Sequence, residues 1–298
     1  MKNIAISLSI CYFLLLSSCS KNLTSIPDKS EEEIATTYSI KKDVSYGRDD
    51  EQKMDIYLSD EAKSYGKNNF TIVFIHGGAY YLSDKTKEER YIQPYLKKGL
   101  NVVNINYRLK RGIPMATSDL TNSLNYLLAN NKAYNLNLKH VIVTGFSAGA
   151  HMATIVGLTQ NNPNYTHKLN KGVRIVGVIN FSGPVDGLDD IEKIFVDHEN
   201  ELFSKAGKAL FPLSHPYETK ETIAIYEPIT YLDANDPAIL VWHGGKDDQV
   251  PPQTFETFVQ KLDSKKDKVV FKPEAFHSPN SKELEEAYIA IFKFLDSL

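Results

Sequence analysis

The sequence predicts an α/β protein: a mostly parallel, doubly wound sheet of about eight strands carrying a small helical lid. Three observations predict it. From residue 70 onward, short β-branched runs alternate with segments of helical periodicity, the pattern of strands joined through crossover helices. Several of these runs, such as Phe70-Thr71-Ile72-Val73-Phe74-Ile75, are almost wholly apolar, as strands covered on both faces are. The 298 residues, 42% hydrophobic and 24% charged, suit one large domain.

The first residues stand apart from that domain. Lys2 gives a positive start, and Ile4 to Leu16 form an apolar core of about thirteen residues, the size of a signal-peptide core and too short to span a bilayer comfortably. It ends Leu16-Ser17-Ser18-Cys19, which resembles a bacterial lipobox. The resemblance implies a lipoprotein signal peptide over residues 1–18, cleavage before Cys19 and a lipid anchor on the Cys19 sulfur. It also implies a place in a bacterial cell envelope, periplasmic or surface-exposed. Cys11 and Cys19 are the only cysteines, so the mature domain holds no thiol pair for a disulfide. Residues 19–40 are polar, lack periodicity and are expected to form a flexible tether, leaving 41–298 as the folded domain.

Within the domain, Asp43 to Leu58 reads as a hairpin, with Met54, Ile56 and Leu58 alternating after a charged turn. Phe70–Ile75 is a strand, Lys87–Lys98 a helix stopped by Gly99, and Asn101–Ile105 a further strand. Ser118-Asp119 is expected to open a helix whose apolar face is Leu120, Leu124, Leu127 and Leu128. Strands follow at 141–144, 173–179, 238–242 and 268–271, and a helix closes the chain from Ser281. The interval 181–232 shows no clear strand and is too long for an unstructured loop, so it is expected to be a helical lid. Its aromatic residues Phe181, Phe195, Phe203, Phe211, Tyr217 and Tyr226 suit either a pocket lining or the lid's own core.

Chemistry enters at Gly145-Phe146-Ser147-Ala148-Gly149, which joins a buried strand to a helix of small residues. A serine so placed stands on a turn tight enough to require glycine two residues to either side, with its hydroxyl pushed out at the sheet's carboxyl edge. Such a hydroxyl needs a base, and the base an orienting acid. In the order serine, acid, histidine, the acid lies in His243-Gly244-Gly245-Lys246-Asp247-Asp248 and the base is His277, the one histidine of eight that follows it.

Taken together, Tyr46-Gly47, His76-Gly77-Gly78-Ala79-Tyr80, Asn106-Tyr107-Arg108-Leu109, the GFSAG turn, HGGKDDQVP and His277 resemble the α/β-hydrolase fold, in particular carboxylesterases with an HGG loop. Within that fold the chain is most similar to the bacterial carbohydrate-acyl (feruloyl or acetyl) esterase group, which is also similar to kynurenine formamidases. The resemblance implies a serine hydrolase that cleaves carboxylic esters through an acyl-enzyme, without a cofactor. Ser147 would be the nucleophile, His277 the base and Asp247, three residues after Gly244, the acid. The loop Gly77, Gly78 and Ala79, chiefly the N–H groups of Gly78 and Ala79, would meet the oxyanion together with Ala148, and His76 would brace that loop. Tyr80 and Tyr81 are candidates for contact with substrate. The chain departs from the family pattern at Ala150, where a glycine is usual, and at Ala79, where lipase-like relatives carry a third glycine.

Other classes fit less well. The net charge of −3 gives no basic footprint for nucleic acid. His198-Glu199 lacks the second histidine of a zincin helix because position 202 is leucine, so no metal is expected. A prolyl-oligopeptidase-like peptidase would need room for a propeller. An arylformamidase would use the same machinery on an amide, and a catalytically silent surface lipoprotein would not need a complete triad.

Overall fold

The computed structural model describes residues 21–211 and 223–298. The sheet has eight strands: β1 (Tyr38–Ser45), β2 (Lys53–Ser59), β3 (Thr71–Ile75), β4 (Asn101–Ile105), β5 (Val141–Phe146), β6 (Ile175–Phe181), β7 (Ala238–Gly244) and β8 (Lys268–Lys272), in spatial order 1-2-4-3-5-6-7-8. The β1–β2 hairpin is antiparallel, and β2 also runs antiparallel to β4. From β4 to β8 every pairing is parallel. The parallel strands therefore discharge their loops at one carboxyl edge, where open α/β sheets place their sites. The order 4-3-5 puts the loops after β3 and β5 side by side, with Ile75 paired to Gly145.

Period-two alternation sends successive side chains to opposite faces. Val73, Ile75, Val103, Val141 and Val143 pack on one side against helices α3 (Gly112–Ala129), α5 (Ala148–Thr159) and α8 (Gln253–Lys261). Ile72, Phe74, Val102, Ile142 and Trp242 pack on the other against α2 (Gln93–Lys97) and α9 (Ser281–Asp296). The remaining helices are α1 (Glu31–Thr37), α4 (Asn131–Tyr134), α6 (Leu188–Val196) and α7 (Glu201–Lys208). The last two, with a 3₁₀ turn at Pro228–Tyr231, lie in the interval expected to be the lid. Tyr217 falls outside the described residues, as do residues 1–20 with Cys19.

Three local expectations are corrected. The helix expected over 87–98 is a 3₁₀ turn at Glu89–Tyr91 followed by α2. Pro94 lacks an N–H and is tolerated only in a first turn, so the α-helix begins anew around it. The helix expected to open at Ser118-Asp119 begins instead at Gly112, because Asp119 does not cap it. That carboxylate is buried and accepts from the Arg108 backbone N–H, its guanidinium and the Gln52 amide.

The segment expected to be a flexible tether is packed. Leu23 is 0% exposed. Its N–H and that of Thr24 donate to the Asp296 carboxylate at 2.5 and 3.0 Å. The Lys98 ammonium binds the Ile26 carbonyl and Asp28, and Ser30 with Glu33 forms a reciprocal capping box on α1. One buried leucine, one half-helix and these partners suffice to fix a stretch whose polarity alone suggests freedom.

Candidate active site

At the β5–α5 junction Ser147 has φ 52° and ψ −120°, a conformation that L-residues avoid and that costs on the order of 1–3 kcal/mol. Its surroundings enforce it. The Ser147 N–H donates to the Phe181 carbonyl at 2.8 Å, and its carbonyl accepts from His151. A Cβ on Gly149 would lie 2.1 Å from the Ile75 carbonyl oxygen, and one on Gly145 2.4 Å from the Gly149 backbone. The two glycines thus let the turn sit flush on the end of β3. Ala150 keeps its methyl because Gly183 stands opposite: a Cβ on Gly183 would come within 2.6 Å of the Ala150 Cβ. The glycine usual at position 150 has, in effect, its vacancy across the gap.

The loops after β7 and β8 supply a carboxylate and an imidazole. Asp247 is buried; its Oδ1 accepts from the Gln249 and Val250 N–H groups at 3.0 and 2.8 Å. Its Oδ2 accepts from His277 Nδ1 at 2.8 Å. Asp248 is exposed. Because the carboxylate only accepts, Nδ1 carries the proton and Nε2 keeps its lone pair. That Nε2 is buried and has no hydrogen-bond partner among the described residues, and His277 borders the same cavity as Ser147. The Phe146 ring rests 5.0 Å from the imidazole, so the residue before the serine also helps to seat the histidine. Behind Asp247, His243 Nε2 donates to the Val250 carbonyl at 2.9 Å and stacks on Phe255. Burial holds His243 below the usual histidine range, keeping it neutral.

The loop after β3 abuts the elbow: a Cβ on Gly77 would lie 3.2 Å from the Ser147 Cβ. Gly78, Ala79 and Tyr80 have φ of 100°, 50° and 58°, a run of left-handed residues. The Gly77 N–H, counted with the loop's oxyanion donors from sequence, is taken by Glu88 Oε2 at 3.1 Å. Gly77 is thereby corrected to a held residue, and the donors left on this loop are Gly78 and Ala79. Ala148 is the first residue of α5, and a first-turn N–H has no acceptor within its own helix. The Gly77 carbonyl accepts from His76 Nδ1 at 2.8 Å and from the Tyr107 hydroxyl at 3.1 Å, with the His76 and Tyr107 rings stacked at 4.4 Å. Burial lowers His76 to about 4, so it braces the loop as a neutral ring.

Two cavities flank Ser147. The smaller, about 20 Å³, is apolar and lined by Tyr80, Ile113, Leu188, Ile191, Phe195 and Val250 among others. The larger, about 260 Å³, is bordered by Gly78, Glu88, Phe203, Gln249, His277 and Ser278. Tyr80 offers the small cavity its ring rather than its hydroxyl. The hydroxyl meets His151 Nδ1 at 2.7 Å, while His151 Nε2 donates to the Tyr226 carbonyl at 2.6 Å. Tyr81 lies outside both linings, half-buried against the lid with Lys110 over its ring. Phe181 is core, packed on Tyr91 and Trp242. Glu88 lies in no sequence motif and was found only by its placement; Phe146 and Gln249 lie within the GFSAG and HGGKDDQVP stretches, but their place at the cavity comes from the fold. Among the described residues no group of three or more His, Cys, Asp or Glu side chains is disposed to hold a metal ion.

A parallel sheet whose fifth strand ends on a strained serine, beside a backbone-donor loop and facing a histidine–aspartate pair, defines an α/β-hydrolase. More narrowly, the chain belongs to the BD-FAE family, whose model matches residues 54–262. Among curated relatives, esterase LipC of Mycobacterium tuberculosis is 24% identical over 245 residues, 76% of this chain and 55% of LipC. The chain spans about half the length of the curated relatives it matches first. Among solved structures, a bifunctional GH43-CE protein of Bacteroides eggerthii matches with TM-score 0.68 and 26% identity, over 86% of this chain and 38% of that one. A truncated carbohydrate esterase from gut microbiota also gives 0.68, at 23% identity, over 91% and 100%.

Proposed function

We propose that this protein is a serine hydrolase of carboxylic esters, working through an acyl-enzyme on short acyl groups carried by carbohydrates or small alcohols. The observation that carries the reading is the strained Ser147 turn sharing a cavity with an imidazole whose Nδ1 is held by Asp247. In this reading His277 Nε2 takes the Ser147 proton as Oγ attacks the ester carbonyl. Asp247 fixes the tautomer and favours the imidazolium that results. The N–H groups of Gly78, Ala79 and Ala148 receive the oxyanion, each donor in comparable sites contributing about 2.7–4 kcal/mol. His277 then protonates the departing alcohol, and water releases the acyl group by the same steps.

The two cavities support a substrate class. A volume of about 20 Å³ holds roughly one water, so an acetyl methyl fits it and an aromatic feruloyl group does not. The larger cavity suits the alcohol, and the carbohydrate-esterase relatives suggest a sugar there. We further propose the Cys19 anchor and an envelope location from the lipobox-like sequence. Since the chain is packed from Lys21 onward, Cys19 lies two residues away in sequence, and the anchor would hold the hydrolase close to a membrane.

The test compares wild type with Ser147→Ala on p-nitrophenyl acetate, butyrate and octanoate, methyl ferulate, acetylated xylan and N-formylkynurenine. Acetyl esters should turn over best. No turnover of any ester, with Ser147 unlabelled by a fluorophosphonate, sinks the proposal, and preference for N-formylkynurenine moves it to an amidase. Labelled-palmitate incorporation that persists in Cys19→Ser rules out the anchor.

A further inference from the structure

Glu88 to Tyr91 joins two loops that the mechanism needs and that no covalent bond links nearby. Glu88 Oε2 accepts the Gly77 N–H on the oxyanion side. Two residues on, Arg90 Nη1 donates to the Pro279 carbonyl at 3.2 Å and Nη2 to Ser278 Oγ at 2.6 Å, on the loop that carries His277. The guanidinium also lies 4.7 Å from the Tyr91 ring centroid and donates to the Tyr91 hydroxyl. Tyr91 is fully buried, stacked on Phe74 and Phe146, and its carbonyl accepts from the Tyr288 hydroxyl. One short stretch, moored in the core at Tyr91, thus holds the oxyanion loop with one arm and the histidine loop with the other.

Resting on the ester-hydrolase reading, we propose that Glu88 and Arg90 are positioning residues, a clasp that fixes the oxyanion donors relative to His277. The peptide group is planar and stiff, so holding one end orients the other. Glu88 holds the peptide before Gly77 by its N–H. His76 and Tyr107 hold the peptide after it by its carbonyl, and that same plane carries the Gly78 N–H. Gly77 has no side chain to anchor it, so without Glu88 its first peptide is free to turn and carry the donors out of line. A misplacement of about 1 Å at a reacting centre can cost about a hundredfold in rate.

Glu88 also brings charge to the cavity it shares with His277. Burial pushes its carboxyl up to about 7, against the pull of the Gly77 N–H, Arg90 and His277. Tyr91 and Tyr107 are the other ionisable groups that feel it, both buried and held neutral. Above that pH the Glu88 anion favours the imidazolium formed on His277 as Ser147 gives up its proton.

The experiment is steady-state kinetics on p-nitrophenyl acetate from pH 5.5 to 9 for wild type, Glu88→Gln, Glu88→Ala, Arg90→Lys and Arg90→Ala, with a thermal melt of each. In Glu88→Ala, kcat should fall roughly ten- to a hundredfold with KM within about threefold. Glu88→Gln still offers Gly77 an amide oxygen; it should recover to within about fivefold of wild type and change the shape of the pH profile near 7, where the Glu88 carboxyl ionises. Arg90→Ala should lower kcat more than Arg90→Lys. A folded Glu88→Ala with wild-type kcat, or a Glu88→Gln as slow as Glu88→Ala, overturns the clasp. So does a lower melting temperature with unchanged kcat. A wild type that turns over no ester and leaves Ser147 unlabelled overturns the hydrolase reading as well, whereas turnover indifferent to Glu88 overturns the clasp alone.

Discussion

The Tyr107 hydroxyl donates to the Gly77 carbonyl at 3.1 Å, reaching from the loop after β4 to the loop after β3. Since Gly77 C=O and Gly78 N–H share one peptide plane, this bond sets the aim of the Gly78 N–H, a donor to the oxyanion in the proposed mechanism. Tyr107→Phe keeps the stack on His76 and removes only the hydroxyl. We predict a loss of about 1 kcal/mol in stability and a fall in kcat of several-fold with KM little changed. Urea melts and p-nitrophenyl acetate kinetics check both.

Asp247 and Asp248 are neighbours with opposite surroundings. The first is buried, with both carboxylate oxygens accepting hydrogen bonds; the second faces solvent. Asp247→Asn should leave the fold in place while unsettling the His277 tautomer, lowering kcat by up to about 10⁴. Asp248→Asn should stay within about twofold, as surface substitutions do. If the two variants change places, the acid is misassigned.

The small cavity beside Ser147 is lined by Leu188, Ile191 and Phe195 of α6, and in the proposed reaction it would set acyl length. Ile191→Ala opens it without touching the turn or His277. The ratio of kcat/KM for butyrate over acetate should rise by roughly tenfold or more, since one methylene in an apolar pocket is worth about 10–200-fold. An unchanged ratio would place the acyl group in the larger cavity.

Much of this was legible in the chain. The buried strands β3 to β7 were read within a few residues, because a strand covered on both faces has little choice but Val, Ile, Leu and Phe. β1, exposed along most of its length, was read only from Asp43, and its start at Tyr38 was lost to the expected tether. The sequence neighbourhood of Ser147 was equally plain, since a Cβ at Gly149 would come within 2.1 Å of the Ile75 carbonyl oxygen and nothing larger than glycine is tolerated there. Glu88 was not legible. A glutamate in Lys-Glu-Glu-Arg looks like surface, and only the fold of the β3 loop over it makes its carboxylate a partner for Gly77. The Tyr80–His151–Tyr226 chain was hidden for the same reason: its members are far apart in sequence and meet through the lid. Asp119 misled because a helix cap and a buried ion-pair partner are the same residue type, and only the position of Arg108 distinguishes them.

His76 and His151 are buried and held to about 4 by the loss of hydration, below the 6.5 of an unfolded histidine. Between these values the unfolded chain binds protons that the folded one refuses. Their contribution is therefore complete above pH 6.5 and is lost as the pH falls toward 4, on the order of 3 kcal/mol each. Glu88, raised to about 7, and Asp236, raised to about 6, act with the opposite sign: stability from them is full at low pH and lost as pH rises through those values. Urea midpoints should rise from pH 4 to 6.5, and Glu88→Gln should steepen that rise by removing one opposing group. A flat profile in wild type and variant would show that the histidines are not neutral in the fold.

Asp296, near the end of α9, accepts from the Leu23 and Thr24 N–H groups, the Thr24 hydroxyl and the Asn68 amide. The amino-terminal segment is thereby sewn to the last helix, with Leu23 seated beneath it at 0% exposure. Leu23→Ala should cost about 2–5 kcal/mol, the range for a buried leucine. Asp296→Ala should be comparably severe, because it leaves several donors without their acceptor at once. Neither residue is near Ser147, so kcat on p-nitrophenyl acetate should hold at 25 °C while the melting temperature drops. Were the segment a free tether, both variants would melt with the wild type, and that outcome would restore the expectation drawn from its polarity.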